Sequence, residues 1–194
     1  FASYPAGHVS GTTRTTVWDW LKRAIPAEVA VFGEAPWDTY TVMQIADSSY
    51  GGASGLEHQN SHVDVISPLA MGSDFMPSLY AHEIFHAWNV KRLRPVELGP
   101  FDYETEVHTR SLWIAEGFTD YYGDLVVHRA GLSSRDEFLN SLSGKIEELQ
   151  TTPGRLVQPV ELASFDAWIK YYRPDENSAN TSVSYYTKGP VLAF

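Results

Sequence analysis

Leu79-Tyr80-Ala81-His82-Glu83-Ile84-Phe85-His86-Ala87-Trp88 is the stretch on which the reading of this chain turns. Two histidines four positions apart on a helix of about 3.6 residues per turn share one face, with the intervening glutamate beside whatever they hold. Leu79, Tyr80, Ile84, Phe85 and Trp88 surround them with apolar side chains at helical spacing, and neither proline nor glycine interrupts Ser78 to Arg94. Paired imidazoles of this kind grip one metal ion, usually zinc, whose catalytic sites take three protein ligands and keep a fourth position for water. A third ligand is therefore expected downstream. Glu116 is the candidate, as the single carboxylate of the apolar segment Leu112-Trp113-Ile114-Ala115-Glu116-Gly117-Phe118. Asp120 follows it at i+4, on the same helical face, where it can orient a metal-bound histidine from behind.

The whole chain sets bounds around that site. Its 194 residues, 43% apolar and 13% aromatic, fit one domain with a packed core. A net charge of −10 argues against nucleic acid and anionic membrane as partners, since both call for a basic face. There is no cysteine, so disulfides and thiolate ligands are excluded and a zinc ion has only histidine and carboxylate to bind it. No segment approaches the roughly 20 apolar residues of a membrane span, and no basic-then-apolar signal opens the chain. Compartment and oligomeric state are open at this level.

Along the chain, residues 1–16 are rich in Gly, Ser and Thr and read as loose. Thr16 is a candidate N-cap for a short helix through Trp20 and Leu21 to Ala24, ended by Pro26. Segments 28–32, 40–45 and 63–66 are short and rich in β-branched or aromatic residues, as strands are, with Gly51 to Gly55 a flexible loop or irregular edge. Beyond residue 76 the pattern turns helical, at about 77–93, 109–130, 134–150 and 164–172 and again from about 186. Pro95, Gly99 and Pro100 mark the long connection 95–108, Gly131 stops the second helix, and Ser134 with Glu137 makes a capping-box pattern for the third. A small sheet followed by helices reads as α+β.

The run His82-Glu83-Ile84-Phe85-His86-Ala87-Trp88-Asn89-Val90-Lys91-Arg92-Leu93-Arg94-Pro95, followed by Leu112 to Tyr122, closely resembles the glycyl aminopeptidase family of zinc peptidases, M61. That family belongs to the gluzincin group with thermolysin and the M1 aminopeptidases. Two more motifs agree: Gly55-Leu56-Glu57-His58 sits where the family carries an exopeptidase motif, and Tyr185-Tyr186-Thr187-Lys188-Gly189 matches a Tyr-x-Lys-Gly pattern. The resemblance runs from about residue 50 to the end. Twenty-nine residues lie between His86 and Glu116, a longer connection than in thermolysin or the M1 enzymes and one that favours M61.

The resemblance implies a thermolysin-like catalytic domain spanning 1–194 and one zinc per chain, held by His82, His86 and Glu116. Family members carry an N-terminal β domain and often a C-terminal PDZ domain; with Phe1 at the start and an apolar run at Pro190 to Phe194, the chain is expected to be a portion of a longer protein. Glu83, beside the ligands without being one, suits a general base, and Tyr186 is the implied catalytic tyrosine, with the adjacent Tyr185 as the alternative. An aminopeptidase must also read a free N-terminal ammonium. Glu57 is the implied reader, with the backbone of Gly55 and Leu56 holding the substrate main chain as an edge strand would. The expected activity is therefore removal of small N-terminal residues, Gly or Ala, from peptides with a free N-terminus. A zinc endopeptidase on the same centre is the second reading. A catalytically inactive zinc-stabilised binding module is the third, and Glu83 counts against it, because a structural site has no use for a base.

Overall fold

The computed structural model describes residues 1–194, which divide into two compact units. The first comprises Phe1–Arg92 and Tyr122–Ser134. Its strands are β1 (Ala2–Tyr4), β2 (Thr41–Ala46), β3 (Ala53–Glu57) and β4 (Ser61–Ile66), arranged in the order β1-β2-β4-β3. β1, β2 and β4 run parallel, and β3 is an antiparallel edge strand on β4. In the β2–β4 register Val42 lies opposite His62 and Gln44 opposite Asp64. Because side chains alternate along a strand, Val42, Gln44, His62, Asp64 and Ile66 share the face that is buried.

Helices α1 (Gly11–Phe32) and α2 (Met76–Phe85) pack on each other, and α2 also packs on β3 and β4. Val9, Val17, Leu21, Val42, Ile66, Met76, Tyr80, Ile84 and Trp88 make the core of this unit, with a second small cluster of Ala24, Ala81, Val126 and Val127. α1 corrects three expectations at once. The segment 11–16 is helical rather than loose, Pro26 lies inside the helix rather than ending it, and 28–32 is its last turns rather than a strand. Val17, Leu21, Ala24 and Glu28 form one buried stripe, and Phe32 stacks on Trp88 with ring centroids 4.7 Å apart. An interior proline costs about 3 kcal/mol. The burial of that stripe and of Phe32 offsets it, so tertiary packing overrides the local signal. Of the two readings of 51–55, loop or edge, the edge is what forms: 53–57 is β3, for which β4 supplies the hydrogen-bonding partner.

The second unit comprises Leu93–Tyr121 and Arg135–Phe194. It contains a π-helical turn (Trp113–Phe118), α4 (Arg135–Thr151), α5 (Val160–Phe165), α6 (Ser178–Thr181) and α7 (Tyr185–Ala193), while α3 (Thr119–Arg129) continues directly from the π-helical turn. α7 packs against the π-helical turn, α4 and α5. The approach is close enough that a Cβ on Gly117 would overlap the Gly189 backbone, and one on Gly189 would overlap that of Gly117. Ser184 caps α7 by accepting from the Tyr186 amide at 3.0 Å. The regular helix expected from 109 therefore begins only after a widened turn. No helix of the protein is long and apolar enough to cross a membrane.

Candidate active site

In the first unit, His82 lies on α2 and His86 caps its C-terminal end. Their Nε2 atoms are 3.0 Å apart, with the rings at 84° to each other. His86 Nδ1 is 2.7 Å from the carbonyl oxygen of Asn89. A carbonyl can only accept, so Nδ1 carries the proton and His86 Nε2 turns its lone pair toward His82. Two imidazole nitrogens bound to one tetrahedral zinc at about 2.0–2.1 Å would stand about 3.3 Å apart. The observed pair lies within a few tenths of an ångström of that, and the absence of any cysteine suits a nitrogen-and-oxygen donor set. The residues present fit a zinc ion.

Glu83 is 5% exposed, and its Oε2 has no hydrogen-bond partner. Burial raises its pKa, a shift opposed chiefly by the charges of His82 and His86. Edge strand β3 runs directly beneath it. A Cβ at position 55 would overlap the Glu83 carboxyl group, so a glycine there lets the carboxyl keep its place against the strand. Two residues on, and so on the same face of β3, Glu57 brings a carboxylate oxygen to within 4.8 Å of ligand atoms of Glu83 and His86. Glu57 Oε1 is 3.0 Å from Lys91 Nζ. Leu56, between them, is exposed.

Three residues beneath α2 escaped the sequence reading. His62 and Asp64 are fully buried, and His62 Nε2 stands 3.2 Å from Asp64 Oδ2 without a hydrogen bond between them. On its other side, His62 Nδ1 is 3.1 Å from the Tyr40 hydroxyl, which donates to the Glu83 main-chain carbonyl at 3.3 Å. Burial pushes the Tyr40 pKa up and keeps the phenol protonated. The signal was present as alternation: His62, Asp64 and Ile66 are spaced by two in a β-branched strand, which places both polar groups on the core face.

In the second unit, Glu116 lies in the π-helical turn and hydrogen-bonds the Tyr186 phenol. Burial first, and then the Glu116 charge, raises the Tyr186 pKa well above the usual phenol range, so it stays a donor. The adjacent Tyr185 is engaged elsewhere. It is fully buried, and its hydroxyl donates to that of Tyr172 at 3.1 Å. Asp120 is ion-paired to Lys145 of α4.

The M61 glycyl aminopeptidase family model matches residues 76–192, from the first turn of α2 to the end of α7. This chain belongs to the M61 glycyl aminopeptidase family. Among solved structures, it is similar to an aminopeptidase N family protein from Idiomarina loihiensis, with 33% sequence identity and a TM-score of 0.86 over 95% of this chain. The matched region is 32% of that protein's chain, so the present chain spans about a third of its length. No curated protein matches the sequence. Membership puts the HExxH run, the Glu116 segment and the Tyr185–Lys188 motif inside one M61 peptidase region.

Proposed function

We propose that the chain is the thermolysin-like catalytic domain, 1–194, of a zinc aminopeptidase that removes small N-terminal residues, Gly or Ala, from peptides. The pair of facing histidine nitrogens with Glu83 beside them, 3.0 Å apart in a peptidase-family chain, is the observation that carries this reading. His82, His86 and Glu116 would hold one zinc, which supplies an acidified water and polarises the scissile carbonyl when bound. Glu83 takes the proton of the attacking water and returns it to the leaving amine; its burial makes it a stronger base than a solvated carboxylate. Tyr186 donates a hydrogen bond to the oxyanion that develops on the substrate, and burial keeps its proton in place for that purpose. Glu57 accepts from the substrate ammonium, and the free edge of β3 pairs with the substrate main chain at Gly55 and Leu56. Asp120 orients a ligand from behind.

One observation favours a second reading. Glu57 already carries a cation, Lys91, and a carboxylate so occupied is compatible with a zinc endopeptidase that ignores the amine. Zinc-dependent hydrolysis of a Gly-led peptide against its N-acetylated twin, with Glu83→Gln alongside, separates the two. Cleavage of the free-amine form alone, lost in the variant, is the expected result; equal cleavage of both forms would replace aminopeptidase by endopeptidase.

A further inference from the structure

The contact between Lys91 and Glu57 decides how an ammonium could be read here, and we infer that Lys91 is the positioning residue of the amine subsite. The inference rests on the aminopeptidase reading above and adds to it a residue and a role. Glu57 and Glu83 bring carboxylate oxygens to within 4.8 Å of each other in a largely buried place. Two carboxylates that close repel, and a cation seated beside them offsets the repulsion. Lys91 is that cation, with its Nζ 3.0 Å from Glu57 Oε1.

Lys91 has two conceivable roles toward a substrate amine, and its burial chooses between them. A lysine that competed with the amine would have to swing into water when substrate arrives. Lys91 is only 8% exposed, and its amide is bonded to the His86 carbonyl at 3.0 Å, in the turn that closes the metal-binding helix. Expelling such a side chain would strand a buried charge and open a void, so it stays. The carboxylate of Glu57 is then shared. Lys91 occupies Oε1 and fixes the plane of the group, and Oε2 is left to accept from the substrate ammonium. Lys91 thereby determines amine selectivity without touching the substrate.

The test compares the wild type, Lys91→Met and Lys91→Arg by two readouts. One is kcat and KM of the zinc-loaded protein on the Gly-led peptide and its N-acetyl twin. The other, independent of catalysis, is NMR titration of metal-free protein with glycinamide and with N-acetylglycinamide. Lys91→Met is expected to raise KM for the free-amine peptide about tenfold, the scale of one charge-assisted hydrogen bond, with kcat changed far less. Glycinamide binding should weaken in parallel, N-acetylglycinamide should be unaffected, and Lys91→Arg should recover most of the loss. Unchanged or tighter amine binding in Lys91→Met overturns the inference while leaving the aminopeptidase reading intact. A wild type indifferent to acetylation in both readouts overturns both. If Lys91→Met does not fold, Glu57→Gln, which keeps the volume and an acceptor for Lys91 but removes the charge, serves instead; retained amine preference there is equally fatal.

Discussion

Helix α2 and the π-helical turn both carry residues of the proposed chemistry, yet they are held in opposite ways. α2 is apolar around most of its circumference, with Met76, Pro77, Tyr80, Ala81, Ile84 and Phe85 all buried, and its shape follows from its own periodicity. The turn Trp113–Phe118 buries only Ala115 and Gly117, and its widened backbone lies against Gly189 of α7, more than seventy positions later. The first is a local structure that tertiary contacts decorate. The second is a tertiary contact that dictates local structure, in keeping with the frequent appearance of π-turns at functional sites.

That contrast is open to direct attack. The largest effect is expected from Glu116→Ala, which should lose zinc as completely as His86→Ala when bound metal is assayed after dialysis; zinc retained in the Glu116 variant would remove the turn from the metal site. Next, Tyr186→Phe should lower kcat about 100- to 1,000-fold, the range for one oxyanion donor, while Tyr185→Phe, whose hydroxyl serves Tyr172, should keep most activity and lose thermal stability instead. A reversal would exchange the roles of the two tyrosines. Gly189→Ala forces backbones apart in the second unit and should cost about 1–3 kcal/mol in denaturant unfolding, whereas Gly144→Ala, on an open face of α4, should be neutral or slightly stabilising.

The smallest effect probes the first unit through pH. Glu28 is fully buried with both carboxylate oxygens lacking a hydrogen-bond partner, and burial raises its pKa well above the ordinary value. Above the unfolded-state pKa, the unfolded chain has released a proton that the folded chain still holds, so stability falls as pH rises toward the folded pKa. Glu28→Gln has no such slope. Its melting temperature should therefore gain on the wild type steadily between about pH 5 and pH 7, and a gap independent of pH would show that Glu28 is not held neutral.

What the sequence made legible follows the same division. β2, β4 and α2 announce themselves through alternation or helical spacing, and the HExxH pair can be read without a fold because both histidines lie on one local element. α1 was misread at Pro26, since the gain that carries the helix past it comes from Phe32 meeting Phe85 and Trp88, distant residues that no local window contains. β3 is left between loop and edge by its sequence, because the run Ala53-Ser54-Gly55 has little strand propensity of its own and the strand exists through its pairing with β4. The π-helical turn has no local signature. Nothing near Lys91 in the sequence marks its partner, and only the return of β3 beneath α2 reveals it as Glu57.

The floor under α2 has a mechanical consequence. A sheet face made only of Val and Ile would be greasy, and a helix resting on it could creep by a fraction of a turn at little cost. Gln44 reaching the Tyr80 hydroxyl at 2.8 Å, and Tyr40 reaching the Glu83 carbonyl, act instead as two pegs almost one helical turn apart. One peg would still permit swivel; two fix both the height and the roll of the helix, and with them the direction in which its histidines point.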